Sequence, residues 1–218
     1  MKVTVLTPSI GTPALARAVE SVQKQTVPVR HVIVADGKQY LHDVLRYTTQ
    51  AWDGKSNEPT VTWIPDNTGA NQWNGHKIYA HYAPLLDADF VFLLDEDNAY
   101  RPIHVATMLE TAVRCGYLWS YRNIICVDVT GKDIRESIGI AGQHPAVNYR
   151  LVDTNCWCFG RDKVRYIRHI LRPWDGDRNL TEMVAHHEDS FHSACTGMHT
   201  VDYYAPERNI DFYRSIVQ

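Results

Sequence analysis

Three acidic residues in a row, Asp95-Glu96-Asp97, directly follow the apolar segment Phe90 to Leu94. Such a segment is typical of a buried strand in a parallel sheet, and open α/β sheets bind ligands beyond the carboxyl ends of their strands. If the strand continues, alternation places Asp95 and Asp97 on the same side. Paired carboxylates there favour a hard divalent cation, Mg²⁺ or Mn²⁺, which can also bridge phosphate oxygens. The alternative is a solvated acidic turn.

A second acidic cluster lies in the segment His-His-Glu188-Asp189-Ser-Phe-His192. On a helix, Asp189 shares a face with the histidines three residues to either side. A carboxylate near a metal site can serve as a general base, and a histidine can add a metal ligand. The alternative is a polar helix face that carries ordinary surface histidines.

Two turns near the amino terminus, Thr7-Pro8-Ser9 and Asp36-Gly37, each follow an apolar segment. Both are expected to open onto the same sheet edge as Asp95. An aspartate at this edge can accept a hydrogen bond from a pyrimidine N–H. Helix and turn capping is the alternative, because Ser, Thr and Asp commonly serve it.

The pair Cys156 and Cys158 raises the possibility of a zinc or redox site. A structural zinc site takes four ligands, usually as two separated pairs, and a redox motif has Cys-x-x-Cys spacing. The sequence has neither pattern, so we predict that both are packed thiols on a strand. Glycine-rich dinucleotide and P-loop motifs are also absent, which disfavours a Rossmann dehydrogenase or a P-loop NTPase.

The elements that must position these residues alternate between strands and helices over the first hundred residues. Helices are predicted between the strands, the first with Thr12 as its cap and Pro13 at its first position, and another from Asn74 to about Ala83. A further helix follows Pro102 and has an apolar face of Ile103, Ala106, Leu109 and Val113. This alternation predicts a doubly wound, mostly parallel sheet flanked by helices. The predicted strands are Val3–Leu6, His31–Ala35, Thr60–Ile64 and Phe90–Leu94.

The pattern changes after about residue 116. Without a linker in the sequence, the second half is predicted to be fused to the first as one domain over residues 1–218. Its predicted elements are strands at Trp119–Val127, Ile134–Ile140 and Leu151–Phe159, and helices at Arg161–Leu171 and His186–Cys195.

Composition excludes several classes of protein. The chain has 218 residues, a formal net charge of -3 and 44% hydrophobic residues, which is ordinary globular usage. The negative charge provides no global attraction to nucleic acid or anionic membranes, and no apolar run approaches the ~20 residues of a membrane span. Five cysteines and the lack of a signal-peptide pattern predict free thiols in the cytoplasm.

Taken in order, these segments resemble the GT-A glycosyltransferases, particularly the family-2-like, mostly inverting enzymes. The resemblance rests on five ordered segments and spans about residues 3 to 192. They are Val-Thr-Val-Leu-Thr-Pro-Ser, His-Val-Ile-Val-Ala-Asp-Gly, Asn67-Thr-Gly69 with Asn74-Gly75, the Asp-Glu-Asp that looks like the family's Asp-x-Asp, and Glu188-Asp189. Trp73 differs from the family pattern, in which Arg or Lys commonly precedes the asparagine.

The resemblance implies a GT-A domain with a nucleotide-sugar-binding half at 1–115 and an acceptor and catalytic-base half at 116–218. Asp95 would contact the ribose or the metal, and Asp97 would ligate a Mn²⁺ or Mg²⁺ ion that bridges the diphosphate. If the metal has a third protein ligand, the candidates are His192 and His199. Asp189 would deprotonate the acceptor hydroxyl, with Glu188 as its rival. The nucleotide-sugar contacts would come from Thr7, Pro8, Ser9, Asp36, Gly69, Asn74, Asp95 and Glu96.

The resulting expectation is a metal-dependent glycosyltransferase that moves a sugar from a nucleoside-diphosphate sugar, a UDP-sugar first, to an acceptor hydroxyl with inversion. The acceptor is open: a glycan, a lipid-linked sugar, a protein or a modified nucleic-acid base. Two alternatives are a metal-dependent nucleotidyl or phosphoryl transferase and a non-catalytic module that binds nucleotide sugars or glycans. A nucleotidyl or phosphoryl transferase would require basic side chains that bind the phosphates, for which Lys77 and Arg101 are the nearby candidates.

Overall fold

The computed structural model describes residues 1–56, 58–70, 73–112, 117–127, 133–138, 152–186 and 193–204. Its first half contains four parallel strands in the order β3-β2-β1-β4. All four coincide with segments predicted from the sequence, and the mixed α/β fold with a mostly parallel central sheet is confirmed. The strands are β1 (Val3–Ser9), β2 (Arg30–Ala35), β3 (Thr60–Trp63) and β4 (Phe90–Leu93).

The second half of the chain extends the same sheet. Strand β8 is antiparallel to β4, and beyond it lie β6, β9 and β5, while β7 pairs with β6. The two halves therefore share one continuous sheet. The added strands are β5 (Ala99–Tyr100), β6 (Tyr117–Val127), β7 (Asp133–Ile138), β8 (Trp157–Gly160) and β9 (Ser193–Tyr204).

Helices cover the sheet because their apolar residues recur at helical spacing. On α1, Leu15 and Val19 are fully buried and pack with Ile33 of β2 and Val44 of α2. Four short 3-10 helices complete the described elements, at 38–40, 83–85, 154–156 and 164–170. The α-helices are α1 (Leu15–Gln23), α2 (Leu41–Ala51), α3 (His76–Tyr82), α4 (His104–Ala112) and α5 (Gly176–His186).

Helix α1 begins later than its sequence signals predict. The residue before its first turn is Ala14, without a side-chain cap, and the Leu15 N–H donates to the carbonyl of Thr12 at 3.1 Å. Thr12 and Pro13 therefore form a turn before the helix, so the predicted Thr12 cap is wrong. The Thr12 backbone N–H points instead to the Glu96 carboxylate at 3.3 Å.

The buried face of α4 also differs from the prediction. His104 and Val105 are fully buried, whereas Ile103 is 43% exposed and lies before the helix. The face therefore continues through Met108 and Leu109. Of the predicted face, Leu109 is buried and Ala106 is half-buried, while Val113 lies outside the described residues. A polar residue, His104, occupies a core position that a purely apolar pattern does not reveal.

Three predictions in the second half need correction. The predicted strand at 151–159 is a strand only from Trp157, because Asp153 caps a 3-10 turn by accepting the N–H of Asn155 at 3.0 Å. The predicted helix at 161–171 is a 3-10 helix over Val164–Ile170. The predicted helix over His186–Cys195 is wrong at its end, where Ser193 begins β9, and residues 187–192 lie outside the described residues.

Cys156 and Cys158 are free and buried, with 2% and 1% exposure. Burial raises the pKa of the Cys158 thiol. Their packing in the core agrees with the prediction, although Cys156 belongs to the 3-10 turn rather than to a strand. That neither thiol binds metal stays a prediction. In the parts of the chain that the structure describes, the helices are too short or too polar to cross a membrane.

Candidate active site

A cleft of about 440 Å³ opens at the carboxyl ends of β1, β2 and β4. It collects residues that are far apart in sequence, as expected for parallel strands whose carboxyl ends meet at one edge. Thr7 belongs to the predicted nucleotide-sugar contacts but does not line the cleft. The predicted site residues that do line it are Pro8, Ser9, Asp36, Gly69, Asn74, Asp95, Glu96 and Asp97.

Asp95 is fixed in place by two neighbours. Its backbone N–H donates to Asn155 Oδ1 at 2.6 Å, and its carboxylate accepts from Asn155 Nδ2 and from the Tyr79 hydroxyl, both at 2.8 Å. Desolvation and the nearby carboxylates of Asp97 and Asp153 raise the pKa of Asp95 to about 8. The ionised form of the Asp95 carboxyl is therefore disfavoured unless a cation lies beside it.

Asp97 lies in a turn and not on a strand, because β4 ends at Leu93 and the Asn98 N–H donates to the Asp95 carbonyl at 3.2 Å. Strand alternation, the predicted reason that Asp95 and Asp97 share a side, is therefore wrong, although both line the cleft. Desolvation and Asp153 raise the pKa of Asp97, and Arg17 opposes the rise. The Arg17 guanidinium donates to the Asp97 carbonyl oxygen at 2.6 Å.

Glu96 holds the loop that follows β1. One carboxylate oxygen accepts the Ser9 hydroxyl at 2.5 Å and the Thr12 N–H at 3.3 Å, and the other accepts the Ile10 N–H at 3.4 Å. Ser9 Oγ in turn accepts the Gly11 N–H at 3.0 Å. Glu96 was predicted as a nucleotide-sugar contact, and its hydrogen bonds show that it also orders a wall of the cleft.

Asp36 plays a similar part for the loop after β3. The residue is 2% exposed, and its carboxylate accepts the Thr68 N–H at 2.7 Å, the Thr68 hydroxyl at 2.9 Å and the Gly69 N–H at 2.6 Å. A Cβ at Gly69 would lie 2.5 Å from Asp36 Oδ2, so only glycine permits this approach. Contacts with Asp36 thus explain Thr68 and Gly69 of the motif, whereas Asn67 donates to the Tyr40 hydroxyl at 3.2 Å and accepts the Ala70 N–H at 2.9 Å.

Thr7 and Pro8 take different positions at the end of β1. Thr7 is fully buried, and its hydroxyl lies 2.9 Å from His31 Nε2, so it supports the floor of the cleft. Pro8 lines the cleft and packs against Gly75, where a Cβ would approach Pro8 Cβ to 2.8 Å. Asn74 and Gly75 both have positive φ, 46° and 79°, which brings the start of α3 close to β1.

The cleft is strongly acidic. Six carboxylates line it, and among the described lining residues there is no lysine or arginine. His76, the one histidine of the lining, is 5% exposed, and burial lowers its pKa, which favours the neutral ring. The acidic residues are Asp36, Asp95, Glu96, Asp97, Asp153 and Asp177.

The two basic residues named from the sequence as phosphate clamps do not line this cleft. The ammonium group of Lys77 lies 4.2 Å from the centre of the Trp73 ring. Arg101 Nε forms an ion pair with Asp202 at 3.1 Å. Neither side chain is therefore placed to neutralise a phosphate in the cleft.

The donor atoms at the centre of the cleft fit a hard cation. Asp95, Asp97 and Asp153 supply carboxylate oxygens, and desolvation together with repulsion among these carboxylates raises the pKa of the first two. Among the described residues, no three Asp, Glu, His or Cys side chains are arranged as a complete metal site. Mg²⁺ commonly takes only one or two carboxylates and completes its shell with water and substrate phosphates. The carboxylates of Asp95 and Asp97 could serve as such a partial set of ligands.

Three predicted site residues, Glu188, Asp189 and His192, lie outside the described residues, so their roles stay predictions. The backbone of His199 lies in β9. Sequence reasoning missed Tyr79, Asn155 and the acidic Asp153. The segment Asp-Thr-Asn before an apolar run is a recognisable turn signal, and it could have placed Asp153 and Asn155 at the end of a strand-like segment.

Comparison of the whole fold with solved structures finds S. aureus TarS. The crystal structure of TarS 1–349 superposes with a TM-score of 0.62 at 16% identity, covering 98% of this chain and 63% of that one. The complex of the same fragment with UDP-GlcNAc gives a TM-score of 0.65 at 15% identity, covering 95% and 59%. A complex with UDP gives a TM-score of 0.62 at 17% identity, covering 98% and 63%.

At this identity the likeness establishes the fold, and the chain spans less than two thirds of the TarS fragment. No protein-family model and no curated protein matches the sequence.

Proposed function

We propose that this protein is a metal-dependent glycosyltransferase that transfers a sugar from a nucleoside-diphosphate sugar, a UDP-sugar first, to an acceptor hydroxyl with inversion. The observation that carries the proposal is the acidic cleft without lysine or arginine among its described lining residues, at the carboxyl ends of β1, β2 and β4. A diphosphate in such a cleft would require a cation, because the described lining residues supply neither lysine nor arginine.

The fold supports the choice of donor. TarS is a glycosyltransferase, and its structures include complexes with UDP and with UDP-GlcNAc. The present chain shares that fold over nearly its whole length but spans only part of TarS. The donor, and the whole activity, are proposals on this basis.

Asp97 and Asp95 would hold Mn²⁺ or Mg²⁺ together with the diphosphate. When bound, the cation neutralises charge on the departing nucleoside diphosphate. The chain's own residues prepare the place for it: Asn155 and Tyr79 orient the Asp95 carboxylate, and Arg17 fixes the backbone at Asp97. Glu96 and Asp36 keep the surrounding loops in position.

The acceptor hydroxyl would lose its proton to Asp189, the base implied by the resemblance to family-2-like enzymes, with Glu188 as the rival. One base and one in-line attack from the face opposite the leaving group invert the anomeric centre. A nucleotidyl or phosphoryl transferase is less well supported, because such an enzyme would use basic phosphate clamps and both sequence candidates lie away from the cleft.

The test is release of free nucleoside diphosphate from UDP-, GDP- and dTDP-sugars, with and without Mn²⁺. We expect hydrolysis of a UDP-sugar that depends on the metal. The Asp87→Asn variant should hydrolyse the donor at the parental rate, because Asp87 is an exposed carboxylate outside the cleft whose partner is Lys2. No hydrolysis of any donor, together with no binding of UDP in the presence of Mn²⁺, would rule the proposal out.

A further inference from the structure

Trp174 is an unusual residue at the rim of the cleft. Its side chain is 64% exposed, and its φ of 65° lies in the left-handed region that large side chains rarely adopt. Among the described residues that line the cleft, Ile10 is the other exposed large apolar side chain, at 44%. An exposed indole on a strained backbone suggests a function, because strain of this kind persists where the surroundings impose it.

The surroundings of Trp174 hold its backbone from both sides. His76 Nδ1 donates to the carbonyl oxygen of Arg172 at 2.8 Å, and Arg172 pairs with Asp175 at 3.7 Å. The Asp175 N–H donates to the Pro173 carbonyl at 2.8 Å, which closes a tight turn around Trp174. These contacts hold the backbone of the turn in place, and the Trp174 side chain projects from it into solvent.

The base of the turn is packed against the floor of the cleft. Gly176 lies so close to His76 that a Cβ would come within 2.5 Å of its Nδ1. His76 itself is 5% exposed and begins α3. Trp174 is thus held next to the start of α3, where Gly75 packs against Pro8. A molecule that stacks on the indole would therefore have a fixed position relative to the cleft.

The cleft also supplies acceptors for hydroxyl groups. Asp177 and Tyr203, like Trp174, belong to the second half of the chain and line the cleft. A sugar ring has one apolar C–H face and a rim of hydroxyl donors. An exposed aromatic face combined with carboxylate oxygens matches that chemistry, since such sites join apolar walls to a few placed polar groups.

We propose that Trp174 is the stacking platform for the acceptor, and that the acceptor is therefore a sugar or carries a sugar ring. This inference rests on the proposed function. Of the carboxylates assigned to the donor, Asp36 is 2% exposed and Asp95 and Glu96 are half-buried. Trp174 instead stands at the mouth of the cleft, where a second substrate arriving from solvent makes contact. Of the four acceptor classes that the sequence leaves open, this selects glycans and lipid-linked sugars.

The test follows the indole N–H resonances of ¹⁵N-labelled protein, with that of Trp174 identified by its loss in Trp174→Phe. The probes are methyl β-glucoside, methyl β-galactoside and N-acetylglucosamine, each added without nucleotide and again with UDP and Mg²⁺, a diamagnetic cation that leaves the resonances visible. Glycerol is the control for hydroxyl groups without a ring, and UMP is the control for a base. Trp63, 41% exposed and outside the cleft lining, is the internal control indole.

We expect the Trp174 resonance to shift saturably with at least one glycoside, while glycerol, UMP and the Trp63 resonance give no such response. Trp174→Ala should weaken binding of that glycoside roughly tenfold, as the loss of one aromatic contact predicts. Trp174→Phe should retain most of the binding. UDP affinity should stay unchanged in both variants.

A response of Trp174 to UMP but to no glycoside would place the base there and overturn the proposal. So would no response to any probe, or an equal response of Trp63. The proposed function fails separately, if the parent protein binds no UDP in the presence of Mn²⁺ and hydrolyses no donor. The glycoside titration without nucleotide remains interpretable in that case.

Discussion

The acidic residues of the cleft divide into two groups that share a sheet edge but differ in their hydrogen bonds. Asp36 and Glu96 each accept three hydrogen bonds from neighbouring loops, at least two of them from backbone N–H groups. Asp95 accepts instead from the side chains of Tyr79 and Asn155, and the carboxylates of Asp95 and Asp97 lie near that of Asp153. Desolvation raises the pKa of both, as it does that of Glu96, and repulsion from Asp153 adds to the rise at Asp95 and Asp97. We call the first pair the loop acids and the second pair the central acids.

The different hydrogen bonds indicate that the loop acids stabilise the fold, whereas the central acids serve ligand binding. A carboxylate that satisfies backbone donors stabilises the fold, because those donors would otherwise lose their partners. Repulsion between neighbouring carboxylates does not stabilise the empty cleft, and carboxylates placed in this way persist where a ligand compensates the charge. Replacing Asp97 should therefore affect substrate binding far more than stability, and replacing a loop acid should do the reverse.

The largest effect is expected for the predicted base. Asp189→Asn keeps the size of the side chain but cannot accept the acceptor proton, so turnover should fall by roughly 10²–10⁴-fold. UDP binding should change little, because the base acts at the opposite end of the reaction from the diphosphate. Transfer rates and calorimetric UDP affinities check both statements.

Glu188→Gln is the matched control for Asp189. If it abolishes transfer while Asp189→Asn keeps near-parental transfer, the base is Glu188. If both variants keep full activity, the inverting mechanism itself is wrong.

The central acids provide the next test. Asp97→Asn should lower UDP affinity in the presence of Mn²⁺ on the order of 10²-fold, because the ligand to the cation is lost. Affinity without metal should not change. The free energy of unfolding of the metal-free protein should not fall, because the substitution relieves repulsion with Asp153. Calorimetry and chemical denaturation measure the two quantities.

Equal UDP affinity with and without Mn²⁺ in the parent protein would contradict this prediction. A clear loss of stability in Asp97→Asn would also contradict it, since Asp97 would then behave as a loop acid. Asp87→Asn again serves as the exposed control.

The loop acids should respond in the opposite way. Glu96→Ala removes the acceptor for Ser9, Ile10 and Thr12, and we expect a loss of roughly 1–3 kcal/mol in the free energy of unfolding. UDP affinity should fall less than in Asp97→Asn. Glu20→Ala on the exposed side of α1 is the control, since Glu20 forms only an exposed pair with Lys24 among its described contacts. Similar stability of the two variants would remove the distinction between loop and central acids.

The sequence was sufficient to predict the four parallel strands and the edge where Asp36 and the Asp95–Asp97 segment meet, because apolar runs and turn residues encode both locally. It could not predict that Asn155 clamps Asp95, since the two are separated by 60 residues and joined only by the pairing of β4 with β8. The positive φ of Trp174 is likewise imposed by contacts around His76 and not by its own type.

The smallest effect concerns a buried polar residue away from the cleft. His104 is fully buried, stacks on Tyr100 with ring centres 4.0 Å apart, and lies with Nδ1 2.7 Å from the Thr200 hydroxyl. Desolvation lowers its pKa to about 3. The same residue in the unfolded chain titrates near 6.5.

The sign of the pH effect follows from these two values. The folded protein keeps His104 neutral while the unfolded chain takes up a proton, so this contribution to stability is complete above pH 6.5 and is lost as the pH falls toward 3. The loss should be about 1.4 kcal/mol per pH unit well below pH 6.5. Because the pKa of Asp95 is raised in the folded protein, Asp95 adds stability as the pH falls, opposite to His104. The effect of His104 is therefore measured as the difference in unfolding free energy between the parent and a His104 variant.

His104→Gln should therefore be less stable than the parent at pH 7 but lose less stability between pH 6.5 and pH 5, by roughly 2 kcal/mol. Denaturation curves at the two pH values measure this difference. His42→Gln is the matched control, because the His42 side chain is 87% exposed and should leave the acid dependence as it is in the parent. If His104→Gln and the parent lose stability in parallel, His104 is protonated in the folded state, and its burial against Tyr100 does not keep it neutral.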